Sequence, residues 1–126
     1  MSHILVFAQR LAVCRLDPVA EVPSWMLRNG FLAVTYTSEE LSIVCDEPSV
    51  PEGIQTEKGW RLMQVQGPLE LSQVGVLAAI AVPLARAGVS IFAISTFDTD
   101  YILVKESSLP QAMEALREDG HIVEVA

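Results

Sequence analysis

The chain has 126 residues, enough for one ordinary domain with a buried core, and 51% of them are hydrophobic. Sixteen acidic against eight basic residues give a formal net charge of −8, which argues against nucleic acid as a partner, because counterion release needs clustered Lys and Arg. No apolar stretch reaches the ~18 residues that span a bilayer, since the longest, Val74 to Leu84, contains Gly75 and Pro83; no membrane partner is expected, and the apolar surplus suggests a protein one.

In chain order, the first ten residues, MSHILVFAQR, show neither a basic n-region nor a small-residue cleavage site, so export is not expected. A strand-like run, Ile4 to Phe7, precedes a second, Arg10 to Leu16, and the sheet partner of the first is open at this level. Cys14 and Cys45 sit in apolar runs without metal-type spacing or a nearby histidine, and read as buried thiols of a cytoplasmic protein. Asp17 to Gly30 is rich in turn formers, with Trp25-Met26-Leu27 as its one oily turn. Phe31 to Thr35 and Leu41 to Val44 are strand-like, and Ser49-Val50-Pro51-Glu52 resembles a helix-starting capping box cut short by Gly53.

The second half is clearer. Trp60 to Val65 reads as a strand ended by Gly67-Pro68, and Ser72 to Ala87 as a helix. Val74, Leu77, Ala81 and Leu84 make one oily side of that helix and Val76 and Ile80 a second, so it should be covered twice. Pro83 deletes a backbone donor, which predicts a kink or a break. Val89 to Thr96 and Tyr101 to Lys105 form a hairpin pattern around a polar tip. Ser108-Leu109-Pro110-Gln111 fits a capping box before Leu109, Ala112, Met113 and Leu116, and Gly120 fits a C-cap before a last strand, His121 to Val125.

The order is βαββαβ, and a shift of sixty residues lays Phe31 to Thr35 over Ile91 to Ser95, Glu40 over Asp100, and Leu41 to Val44 over Tyr101 to Val104. A decayed internal duplication explains this, with modules at 1–59 and 60–126, each too small to stand comfortably alone. They are expected to pack as one body.

The polar interruption Ser95-Thr96-Phe97-Asp98-Thr99-Asp100 is where chemistry would concentrate. Two carboxylates two apart in a strand lie about 6–7 Å from each other, a distance that suits an acid and base pair, but nothing in the chain sets their environments apart. Calcium would want further oxygens and a glycine where Tyr101-Ile102-Leu103 runs as a strand. Zinc would want histidines in register, and His3 and His121, far apart, read as surface or strand-end residues. No phosphate-binding or nucleophile motif is present, so no cofactor, metal or catalytic residue is expected. Ligand capture remains: the turn from Gly67 to Gly75 leads into a helix start whose free amides suit a carboxylate, and Asp100 beside it would meet an ammonium group. The alternative is a capped helix beside a solvated hairpin tip.

The duplication and the words GPLELSQVGVLAAIAVPLARAGVSIFAISTFDTDYILVKE and TYTSEELSIVCDE resemble the ACT-domain superfamily, and more narrowly small bacterial tandem ACT proteins related to the cytosolic arginine sensors of animals. That resemblance implies an α+β chain of two ferredoxin-like βαββαβ modules, antiparallel sheets with helices on one face, the first module degenerate. It implies a non-enzymatic regulatory protein holding a small amino acid between modules, with Gly75 and Val76 as backbone contacts, Thr96 and Phe97 in the pocket and Asp100 on the cationic group. It further implies a homodimer that restores the four modules of the animal sensors and signals to an unidentified protein partner. A ligand-free dimeric interaction scaffold is the alternative.

Overall fold

The computed structural model describes residues 2–26, 30–67 and 74–126. The described chain is α+β: β1 (His3–Leu16), β2 (Leu32–Tyr36), β3 (Leu41–Asp46), β4 (Gln55–Val65), α1 (Val76–Arg86), β5 (Ile91–Ser95), β6 (Asp100–Lys105), α2 (Leu109–Glu118) and β7 (Ile122–Val125). It divides into two compact units. The larger joins the residues up to Ala8 with Arg61–Ala126, and the smaller is Gln9–Trp60.

Strand alternation builds the core of the larger unit. Ile4 and Val6 of β1, Met63 and Val65 of β4, and Ile102 and Val104 of β6 are each two residues apart, so each pair projects from one face of its strand. Ile80 and Leu84 of α1 and Ala112 and Leu116 of α2, spaced by four, pack on that face. Each fully buried Ile or Leu contributes about 1.5–3 kcal/mol relative to exposure.

The run Ile4 to Phe7 finds its place here. Its strand pairs in parallel with β7, His3 opposite Ile122 and Val6 opposite Val125. On its other side lies β4, where the Gln66 amide donates to the His3 carbonyl at 2.8 Å and the Arg61 guanidinium to the Phe7 carbonyl at 2.8 and 3.1 Å. The start of the chain thus enters the sheet between the first and last strands of the other half.

Helix α1 begins at Val76, later than the spacing predicts, because Gly75 adopts a left-handed φ of 83° that no helix continues through; Ser72 and Gln73 lie outside the described residues. At Pro83 the expected break does not occur. Pro83 has no N–H for the carbonyl four residues back, that of Ala79. His121 fills the vacancy: its Nε2 lies 2.9 Å from the Ala79 oxygen, while Nδ1 accepts the Ser2 amide at 3.1 Å. With Nδ1 accepting, the ring proton sits on Nε2 and donates to the carbonyl. His121, expected at a surface or strand end, precedes β7 and is buried.

The capping boxes do not form. Ser108 makes no side-chain cap and already has helical dihedrals, because a 3₁₀ turn, Glu106–Ser108, feeds straight into α2. Gln111, free of that duty, donates its amide to the Ala87 carbonyl at the end of α1, at 2.6 Å. At the far end, Gly120 takes φ 92° and the His121 amide reaches back to the Leu116 carbonyl at 3.0 Å, the left-handed stop expected there.

In the smaller unit, 3₁₀ turns at Ser24–Met26 and Glu47–Ser49 stand where the larger unit has helices, so this module is degenerate. The turn at Glu47–Ser49 ends in an extended Val50, so no helix starts at Ser49. Leu27 lies outside the described residues. Trp25, Val50 and Ile54 pack on Ala12, Cys14, Leu41, Ile43 and Cys45 in place of helices.

Both cysteines are free and buried. Burial, with Cys14 and Asp46 beside it, pushes the Cys45 thiol from an ordinary 9.0 up to about 12. The fold therefore favours the protonated thiol: this contribution to stability is full below about pH 9 and is lost as pH rises towards about 12. Iodoacetamide at pH 8 should leave Cys45 unmodified in the folded protein and alkylate it after denaturation; rapid native alkylation, read by mass spectrometry, would contradict this burial.

Candidate functional site

The hairpin of β5 and β6 positions three of the five candidate residues. Its strands pair with Ser95 opposite Asp100 and Ile91 opposite Val104. The tip is closed by its own hydroxyls: the Thr96 amide donates to the Thr99 carbonyl at 2.8 Å, and the Thr99 amide to Thr96 Oγ1 at 3.2 Å. The buried Thr99 hydroxyl donates to the Val65 carbonyl, fastening the tip to the end of β4. Phe97 stands 79% exposed at the tip.

Asp98 and Asp100 do not form the strand-spaced pair considered from the sequence, because Asp98 lies in the tip and Asp100 opens β6. Asp100 is two residues from Ile102 and four from Val104, so it shares the face that α1 covers. There it is half-buried, and Ser95 Oγ donates to its Oδ1 at 2.6 Å. Asp98 instead lines an open recess of about 430 Å³ with Gln64, Gly67 and Thr99. None of the five candidate residues lines that recess.

Gly75 and Val76 open α1. The Gly75 carbonyl accepts the Ala79 amide at 2.9 Å, and among the described residues no side chain caps the helix start or accepts from the amides that open the first turn. The helix and β5 each run about 16 Å, and only residues 87–90 join them. The end of α1 therefore lies near Ile91, and its start lies at the end of the unit where Ser95 and Asp100 sit. The turn from Pro68 to Gln73 that leads to this start lies outside the described residues.

The first hairpin corrects the sixty-residue shift. The Thr37 amide donates to the Glu40 carbonyl at 2.9 Å, and the Glu40 amide to Thr37 Oγ1 at 3.1 Å, the same pair of bonds that closes the second tip. Thr37 answers to Thr96, Glu40 to Thr99, and Leu41, paired with Tyr36, to Asp100. The offset is one residue short of sixty, so Glu40 is no copy of Asp100; the equivalent position holds Leu41, 1% exposed in the core. The sequence reading missed this because Ile43, Val44 and Cys45 are all buried, as are Ile102, Leu103 and Val104, so no alternation marks the register. The Thr at the head of each tip was the available signal. It also missed Ser95 as the partner of Asp100, a hydroxyl that a hairpin pairing with Asp100 would have exposed.

Among the described residues no group of three His, Cys, Asp or Glu side chains is placed to hold a metal ion, and no helix is long and apolar enough to cross a membrane. The two hairpins should respond oppositely to exchange. Leu41→Asp places an unpaired charge in the core and should cost about 3–5 kcal/mol in chemical denaturation, whereas Asp100→Leu should cost less than about 1 kcal/mol; equal costs would contradict the correspondence.

A family model described as an ACT domain matches residues 55–118, and a second, described as an N-terminal domain, matches residues 9–53. The cytosolic arginine sensor for mTORC1 subunit 1 of Bos taurus is 42% identical over an alignment of 64 residues that covers 48% of this chain and 20% of that protein. The chain thus spans about a fifth of the length of the curated relatives it matches. A crystal structure of a protein from Agobacterium tumefaciens superposes with a TM-score of 0.94 at 30% identity, over 99% of this chain and 93% of that one. The regulatory subunit of aspartate kinase from Thermus thermophilus shares the fold, with a TM-score of 0.61 at 8% identity over 91% and 94% of the two chains.

Proposed function

The chain belongs to the ACT-domain family, and from that premise we propose that it is a non-enzymatic regulatory protein that binds a small amino acid. The observation that carries the reading is the pairing of complementary groups at one end of the larger unit. A helix start at Gly75 and Val76 that no described side chain caps offers amides to a carboxylate, and Asp100, on the face that α1 covers, offers an anion to an ammonium group. Ser95 holds Asp100 in place through Oδ1. Thr96 and the exposed Phe97 form the wall nearest the tip.

The ligand is held between modules, this end of the larger unit being closed by a module of a second chain. The exposure of Phe97 and of Val74, which is 96% exposed just before α1, suits a surface that closes only on assembly. A ligand that bridges two modules shifts the population towards the closed arrangement, and a protein partner reads that arrangement. The smaller unit has Leu41 in place of the anion and, among its described residues, no helix start, so it offers no second site of this kind. The name of the similar animal sensors makes arginine the first ligand to test, and a cytoplasmic location is consistent with theirs.

A thermal-shift screen of the twenty amino acids should show at least one that raises the melting temperature, with about 2.7 kcal/mol of stabilisation at a hundredfold excess over Kd. Asp100→Ala should abolish the shift while leaving the ligand-free melting temperature nearly unchanged. No shift with any amino acid would leave a ligand-free dimeric scaffold as the better reading, and a shift that survives in Asp100→Ala would remove Asp100 from the ammonium role. Light scattering at micromolar concentration should give twice the 13.7 kDa chain mass; a monomer would exclude closure by a second chain.

A further inference from the structure

The His121 contacts meet at the turn that opens the ligand helix. The amide of Ala79 bonds to the Gly75 carbonyl at 2.9 Å and so closes the first turn of α1. The carbonyl of the same residue faces a proline four positions on and is met by His121 Nε2. One residue, Ala79, therefore makes both the closing bond of the first turn, through its amide, and the bond to His121, through the carbonyl it shares with the next peptide plane. The ring itself is held from three directions. Its backbone amide is bound to Leu116 of α2 at 3.0 Å, its Nδ1 accepts from Ser2, and Ser2 in turn accepts from the Ile122 amide at 3.0 Å. It is 5% exposed, so water does not readily substitute for it.

We propose that His121 is a positioning residue for the amino-acid site: by donating to the Ala79 carbonyl that Pro83 leaves without an amide, it holds the first turn of α1 in its ligand-binding pose and ties that pose to the start of β1. This rests on the reading of the α1 start as the carboxylate site. A ligand carboxylate needs the amides of that turn to converge. Without His121 the Ala79 carbonyl is free to turn towards another donor or water, and it carries with it the plane it shares with the Ile80 amide, and hence the turn. Pro83 and His121 therefore act as a pair: the proline removes the helix's own donor, and the histidine returns one from the far end of the chain.

The pairing predicts a rescue that packing alone would not produce. His121→Phe keeps a ring but removes both hydrogen bonds, and Pro83→Ala gives the Ala79 carbonyl its own amide. With the amino acid that shifts the wild type, His121→Phe should weaken Kd by about tenfold, the worth of one hydrogen bond, and speed hydrogen exchange of the Ile80 amide, which shares the plane of the Ala79 carbonyl. His121→Gln, whose amide can donate, should retain more affinity than His121→Phe. In a Pro83→Ala background, adding His121→Phe should change Kd and exchange by no more than about twofold, and this comparison stands even if the single His121→Phe protein fails to fold. Equal losses in the two backgrounds, or no loss in either, would overturn the proposal. The exchange measurement needs no ligand, so unchanged exchange in His121→Phe refutes the positioning role itself, whereas a wild type that binds no amino acid refutes the ligand reading on which it rests.

Discussion

The carbonyl of Ala79 has no donor inside its own helix, and the donor arrives from a residue more than forty positions later. Much of the larger unit is arranged around that fact. His121 reaches Ala79 because α2 ends in a left-handed glycine that returns the chain directly beneath α1, and because β7 then pairs with the first strand rather than with β4. The insertion of residues 3–8 between β7 and β4 supplies Ile4 and Val6 to the core that both helices cover. A helix, a strand from the other end of the chain and the last strand thus share one part-buried hydrogen-bonded corner.

The site depends on this frame as well as on its own side chains. Asp100 belongs to the α1 face because Ile102 and Val104 on the same side of β6 are core, and the tip beyond it is fastened by Thr99 to the end of β4. Asp98, two residues away, is in the tip and lines a different recess. Two carboxylates that look alike in the sequence therefore serve different surfaces. The two hairpins allow a comparison inside one chain. At the position of Asp100 the first hairpin places Leu41 in its core, so one hairpin has a half-buried carboxylate where the other has a buried apolar side chain.

The polar tip, the two helices and the strands around them were legible because each has a local signature: hydroxyls and acids that turn a hairpin, apolar residues at helical spacing, a glycine at a helix end. The βαββαβ order and the family resemblance rested on the same words, a family model of the ACT domain matches residues 55–118, and solved structures share the fold. Failures came where two local signals competed. Ser108 and Gln111 look like a capping box, yet a 3₁₀ turn already supplies the helix entry and Gln111 is drawn to Ala87. The repeat was set one residue out because strands buried on both faces carry no alternation, and only the tip hydrogen bonds define their register.

The sequence by itself determined the element types and the acidic and apolar character, since these follow from side-chain chemistry over a few neighbouring positions. Tertiary structure alone decided which strand the amino-terminal run would join, which carboxylate would share a face with α1, and how a helix could run through Pro83. Each of those depends on a hydrogen bond or a strand pairing between residues far apart in the chain, and the free energy of such a contact exists only once the rest of the fold has brought the two groups together.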